Sequence, residues 1–340
     1  MAETVMLVDQ LRGGILMRRR DVLAAIAGTG AIWPSSLAAQ QMTRRPRVGV
    51  LVYSTPDRDL SIQAFLRSMR ELGYIDGHNI TYEFRSAEGK PERLPELAAD
   101  LVQLKPDVLF ASGGDVTPWI AKATQTIPII YSSSADPVKI GLAVSLARPG
   151  GNATGVTLLS DELAAKRIQL FKAAVPRISR VGFLRDPTHA DNEEPMAQRS
   201  AVALGVEIHP VPVRGSADLD RALTAAAEAR IDGLYVVSSR HTALNIGRIV
   251  DFATKNRLPL VGGWGEWVQL GGLLSYGPNT ADMVRQSATY VDRVLKGAKT
   301  SDLPVQQPTR FELHINLKTA KAFGLTIPEA LILLADRIIE

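Results

Sequence analysis

The sequence predicts an α/β protein made of two doubly wound, parallel-sheet lobes joined by a multi-crossover hinge. Three observations carry that expectation. Near-continuous apolar runs of strand length, the signature of strands buried on both faces, alternate with amphipathic stretches of helical period. The same order of elements starts again halfway along the chain. The tail after the second unit opens no third one.

The first unit starts at residues 47–53, a buried-strand run that ends in Tyr53, Ser54 and Thr55. A helix follows with Ile62, Phe65, Leu66, Met69 and Leu72 on one face, closed by Gly73, Asp76 and Gly77. Residues 80–85 alternate as a strand, and a helix over 92–104 packs Leu94, Leu97, Ala98, Leu101 and Val102. The strand at 108–111 opens at Ser112, Gly113, Gly114 and Asp115, and a short helix runs to Thr124. The strand at 127–131 opens into Ser132, Ser133 and Ser134. Asp136 and Pro137 then read as the start of a helix carrying Ile140, Leu142, Ala143, Val144 and Leu146. Residues 148–152 stop that helix, and 153–157 form a strand leaving the unit.

The second unit repeats the pattern. A helix spans 161–175, and a buried strand at 181–184 opens at Arg185 and Asp186. A helix to Leu204, a strand at 206–211 and a helix over 219–230 follow. Residues 230–237 mirror 105–110, each with an aspartate two places after a basic residue, and 257–261 mirror 126–130. In the tail, 273–276 is a strand, 281–295 an amphipathic helix, 303–317 extended chain and the remainder helical. This divides the chain into residues 47–156 plus about 277–310 as one lobe and 157–276 as the other; the lobe of 311–340 stays open. Such repeated crossing makes a hinge pair suited to closing around a ligand.

The first 39 residues read as an export signal, not as fold. Arg18, Arg19 and Arg20 form a basic start, residues 22–33 an apolar run too short to span a membrane, and Ala38 or Ala39 a cleavage point, with 40–46 as linker. The paired arginines followed by Val22 and Leu23 resemble a twin-arginine signal, with Met17 as an alternative start. The expected location is a bacterial periplasm. Removing this segment takes away four basic and three acidic residues, lowering the formal charge of +4 by one. So small and dispersed an excess argues against nucleic acid and anionic membranes as partners.

No catalytic motif stands out. The chain lacks cysteine, a G-x-G-x-x-G loop after a strand, a Walker loop, a G-x-S-x-G elbow and an H-E-x-x-H pair, and its five histidines have no metal-like spacing. No cofactor is expected. What remains are strand-end loops, the usual ligand side of an open α/β sheet. From the first lobe these supply Tyr53, Ser54, Thr55, Ser112, Gly113, Gly114, Asp115, Ser132, Ser133, Ser134 and Asp136. From the second come Arg185, Asp186, Ser239, Arg240, Trp264 and Glu266, with Tyr276 at a crossover. Hydroxyls and backbone N–H groups suit a carboxylate, and Asp136, Asp115 or Glu266 an ammonium. Tyr53, Tyr131, Trp264 and Tyr276 suit an apolar or aromatic body. Plainer accounts exist: Asp136 as a cap, Trp264 as rim packing, Arg240 as partner of a surface acid.

Five motifs give the chain a family likeness: S-x-x-D-P-V-x-x-G-L (133–142), R-P-G-G-N-x-T-G-V-T (148–157), E-L-x-x-K-R (162–167), G-G-L-x-S-Y-G-P (271–278) and L-P-V-Q-Q-P-T-x-F-E-L-x-I-N-L-K-T-A-K (303–321). From about residue 47 to 340 the chain resembles ABC-transporter substrate-binding proteins of the periplasmic-binding-protein-like I fold, in the branch with tryptophan- and tyrosine-binding components. The resemblance implies a monomer that binds a small solute between two lobes without catalysis and hands it to an ABC permease with its ATPase. A periplasmic sensor on the same fold, or a two-lobe racemase or epimerase, is the alternative. Two loops depart from the family pattern, Arg185 to Pro187 and Ser238 to His241, which points to a ligand other than an aromatic amino acid, one with a second carboxylate or greater acidity.

Overall fold

The computed structural model describes residues 44–340 except 191, 192 and 216; the expected signal segment and most of the linker lie outside the described residues. Two sheets organise the compact unit from Arg45 to Glu340. The first holds β1 (Arg47–Val52), β2 (Thr81–Ser86), β3 (Val108–Ser112), β4 (Ile129–Ser133) and β5 (Ala153–Thr157), all parallel, in the order β2-β1-β3-β4-β5. The second contains β6 (Arg180–Arg185), β7 (Glu207–Pro212), β8 (Gly233–Val236), β9 (Leu260–Gly262) and β10 (Leu274–Pro278) in the order β7-β6-β8-β9-β10. Position for position, that is the first sheet again.

The repeat extends to individual hydrogen bonds. Asp107, before β3, accepts from the Arg47 backbone N–H at the start of β1 at 2.7 Å. Asp232, before β8, accepts from the Arg180 N–H at the start of β6 at 2.9 Å. Lys105 and Arg230, two residues ahead of these aspartates, both take left-handed φ values of 49° and 55°. Gly155 in β5 and Gly277 in β10 are a third matched pair. A Cβ at either would overlap a backbone oxygen of the neighbouring segment, that of Tyr131 or of Gly263. This explains the glycine in two of the sequence motifs.

Each sheet is buried on both faces. The first lobe's helices are α1 (Leu60–Glu71), α2 (Leu94–Gln103) and α3 (Thr117–Ala123). One side of its sheet packs Leu94, Leu97, Leu101 and Ile120. The other packs Ile62, Phe65 and Met69 of α1, where Phe65 stacks on Phe110 at 3.9 Å. The second lobe adds α4 (Ser160–Ala174), α5 (Glu194–Ala203), α6 (Leu219–Glu228), α7 (Arg240–Leu244), α8 (Ile246–Lys255) and α9 (Gly265–Gln269).

The chain then recrosses. Helix α10 (Thr280–Leu295) puts Val284, Ala288, Val291 and Val294 into the same core as β1 and α1. Gln306 bridges to Val156 of β5. Strand β11 (Phe311–Asn316) returns to the second sheet, antiparallel to β10. After α11 (Leu317–Phe323) and α12 (Glu329–Leu334), β12 (Arg337–Ile339) pairs with β11.

Two expectations are corrected. Residues 136–146 form no helix: a single turn ends where Gly141 takes φ 75°, with Leu142 N–H reaching back to the Pro137 carbonyl at 2.7 Å. A left-handed glycine stops helix growth, whatever the apolar spacing around it. The chain also ends in a strand, because the exposed edge of β11 offers Arg337–Ile339 a parallel partner.

Candidate ligand-binding site

In each sheet the strand order reverses beside the first strand, between β1 and β3 and between β6 and β8. Ligands of open α/β sheets sit outside the strand C-termini at such points. Here the two points face each other, and their loops meet.

Arg240 is the centre of that meeting. Ser239 caps α7 by accepting from the Thr242 N–H, so the Arg240 side chain leaves the helix start toward the first lobe. Its Nη1 donates to Ser61 Oγ at 2.9 Å and lies 3.4 Å from Asp59 Oδ1; Nη2 donates to Ser112 Oγ at 2.9 Å. Its backbone N–H donates to Asp115 Oδ2 at 2.8 Å. The guanidinium carbon stands 5.7 Å over the Trp264 ring. On the opposite side, a Cβ at Gly113 would come within 3.0 Å of its Nε.

Beside it, Asp115 faces His189 Nε2 at 3.3 Å, another contact between the lobes. The space above Gly114 is filled by His189 and Ser134. Burial raises the Asp115 carboxyl above its ordinary value, and the negative charge of Asp186 adds to that, while His189 and Arg240 oppose it. The Tyr53 hydroxyl is raised by burial and by the charges of Asp115 and Asp186. His241 is lowered by burial, against the pull of the same two aspartates. The Tyr53 hydroxyl, His241 Nε2 and Arg240 Nε are buried without a hydrogen-bond partner among the described residues. The cluster holds three acidic side chains, Asp59, Asp115 and Asp186, beside one guanidinium and the His189 ring, a lining that suits a cationic group.

The structure therefore brings Tyr53, Ser112, Gly113, Gly114, Asp115, Ser134, Asp186, Ser239, Arg240 and Trp264 to one place. The other candidates are engaged in local structure. Ser54 Oγ donates to the Thr55 carbonyl at 3.3 Å, and that carbonyl also closes the turn to Arg58 and Asp59. The Ser132 carbonyl accepts from Gly113 N–H at 2.7 Å, and Ser133 Oγ from Ala135 N–H at 3.2 Å. Asp136 caps its turn through Val138 N–H at 2.9 Å, and Arg185 pairs with Glu194 at 2.6 Å. Glu266 lines a different cavity of about 440 Å³, with Thr280, Arg310, Glu312 and His314. Tyr276 stacks with Phe311. Tyr131 is fully buried in the first lobe's core.

Other residues of the site were not singled out from sequence. Asp59 and Ser61 lie where the loop after β1 gives way to α1, and Asp59 caps that helix by accepting from the Ser61 and Ile62 N–H groups. His189 meets Asp115 from 74 positions away, a pairing no local pattern announces. A buried network braces the second lobe behind the cleft. Arg167 Nη1 donates to Glu193 at 2.9 Å and to the Tyr235 hydroxyl at 3.1 Å, its Nε to the Tyr276 carbonyl at 2.8 Å, and Ser160 also bonds Glu193. Arg167 closes the E-L-x-x-K-R motif. Among the described residues no group of three or more His, Asp or Glu is placed to hold a metal ion, and no helix is long and apolar enough to cross a membrane.

The chain is similar to several known proteins. A "Tyrosine-binding protein" of Clostridioides difficile is 26% identical over 273 residues, covering 79% of this chain and 78% of its own. A conserved domain protein from Vibrio cholerae superposes with a TM-score of 0.80 at 28% identity, over 87% of this chain and all of that one. The ABC domain from Streptococcus pneumonia in complex with L-Trp does so at 0.78 and 24% identity, with the same coverage. The lobes have the periplasmic-binding-protein type I fold. Residues 47–339 match the family described as ABC transporter substrate binding protein, and the chain belongs to that family.

Proposed function

We propose that this chain is the solute-binding component of an ABC importer, closing on a small amino-acid-like or carboxylated ligand between its lobes and delivering it to a membrane permease. The moving bodies in this reading are residues 47–156 with about 277–310, and 157–276 with 311–340. The observation that carries it is the buried polar cluster where the two switch points meet, whose Tyr53 hydroxyl and His241 Nε2 have no partner within the described chain. An ammonium group would sit between Asp115 and Asp186, carboxylates that repel each other across the closing cleft until a cation separates them. The similarity to a tyrosine-binding protein and to a domain holding L-Trp supports an amino-acid-like solute.

Closure is then a population shift, with affinity set by contacts that exist only when the lobes meet. In this reading the protein works as a monomer in the periplasm, without catalysis or cofactor. The test is a thermal-shift screen against amino acids, dicarboxylates and small aromatics. Ligand at a hundredfold excess over Kd stabilises the native state by about 2.7 kcal/mol. A large shift with one class, with the ligand recovered unchanged, supports the reading; consumption of the ligand would overturn it.

A further inference from the structure

We infer that Arg240 is a built-in plug that sets ligand specificity, reserving the cleft for compact, non-aromatic solutes. The inference rests on the proposed binding of an amino-acid-like ligand and narrows its class.

The Arg240 side chain fills a slot with two walls. One is the Trp264 ring, an aromatic surface at the cleft, which the guanidinium covers at 5.7 Å, within the range of a cation–π contact. The other is the Gly113 backbone. A Cβ there would lie 3.0 Å from Arg240 Nε and 3.2 Å from its Cγ, so the chain uses a residue without a side chain, at φ 110°, to let Arg240 in. The far end is anchored on Ser61, Asp59 and Ser112, and only 14% of the side chain is exposed. An aromatic solute seeking the Trp264 face meets a cation already seated there.

Displacing Arg240 would leave Asp59 buried beside an empty slot and forfeit two hydroxyl bonds. A hydrogen bond from a charged group is stronger than the stacking gain of one ring beyond its area burial. Expulsion is therefore unfavourable, and selection falls on solutes that leave the slot alone. The guanidinium thus acts as a wall of the site and not as a receptor for a second carboxylate, since its two terminal nitrogens are directed to the first lobe.

The test has a ligand-free arm and a ligand arm. In the first, acrylamide quenching of tryptophan fluorescence is compared between wild type and R240A, with W264F variants isolating the Trp264 contribution. Quenching of Trp264 should rise at least twofold in R240A; an unchanged value overturns the plug. In the second, calorimetry measures L-alanine, L-leucine, L-tyrosine and L-tryptophan. Wild type should bind an aliphatic amino acid at least tenfold more tightly than either aromatic one. R240A should gain at least tenfold for the aromatic pair, and R240A/W264A should lose that gain. Wild-type preference for tyrosine or tryptophan, weakened in R240A, overturns the inference. If neither protein binds any of the four, the amino-acid reading and the size selection both fall, while the quenching result separately decides whether Arg240 covers Trp264.

Discussion

The two lobes share one topology yet bring different chemistry to the cleft. Apart from Tyr53, the first presents short groups: Ser112, Gly113, Gly114, Ser134 and the carboxylates of Asp59 and Asp115. The second presents reach: Arg240 and His189 extend into the first lobe and end on its atoms. A duplicated sheet thus supplies a smooth receiver on one side and long charged arms on the other. The second lobe also carries a buried ion pair, Arg167 with Glu193, both sides completely inaccessible. Its rigid arms are mounted on a braced core.

That contrast can be broken most directly at Arg167. R167A leaves the Glu193 carboxylate buried without its cation and should cost about 3–5 kcal/mol in urea unfolding. R167M/E193Q should recover part of that loss; equal losses would mean that the pair braces nothing. The matched glycines come next. G155A and G277A each force a methyl group against backbone, and each should cost at least the upper part of the 1–3 kcal/mol range for overpacking, about 3 kcal/mol. A mild effect in one lobe only would show that the repeat is less strict there.

The paired aspartates sharpen the comparison at smaller scale. D232A removes bonds from Ser179 N–H, Ser179 Oγ and Arg180 N–H, D107A removes the bond from Arg47 N–H, and each should cost about 1.5–3 kcal/mol. Their sum should match the double variant within about 0.5 kcal/mol, since separate lobes do not share these bonds.

The smallest effect is a pH dependence. Burial holds His241 below its ordinary value of 6.5, so its contribution to stability is present above that pH and is lost as pH falls through the folded value. Asp186, Asp115 and Asp218 favour the charged ring and Arg248 opposes it. Asp115, raised by burial, works in the opposite sense: its contribution is present below 3.8 and lost as pH rises through its folded value. From pH 7.5 to 5, Tm should therefore fall more steeply in wild type than in H241Q. Parallel curves would show that His241 does not titrate with folding.

Much of this architecture was legible because it is written locally. Apolar runs of strand length, each followed by a helix and recurring in the same order, identified both sheets. Lys105 with Asp107 and Arg230 with Asp232 mark the repeat in the sequence, and both aspartates make the same backbone bond in the fold. The segment from Asp136 to Leu146 misled because helical spacing of apolar residues outweighed Gly141, the residue that decides the backbone there. In the candidate site, loops at strand ends pointed to one region, and Tyr53, Asp115, Asp186 and Arg240 converge there. His189, Asp59 and the Arg167 network stayed hidden because their partners are distant in sequence. Glu266 and Tyr276 sat at plausible loop positions, but register and crossover geometry turned them elsewhere.

The recrossing of the chain bears on how the molecule is made. All five strands of the first sheet have been synthesised by Thr157, yet one face is covered only by α1 until α10 arrives to complete the core around Val48 and Val50. The Thr154 hydroxyl waits longer still, for the carbonyl of Leu303. The early half therefore cannot mature as an independent foldon. It must persist with one apolar face partly open while more than a hundred further residues are synthesised, a vulnerable interval in which a holding chaperone would be most useful.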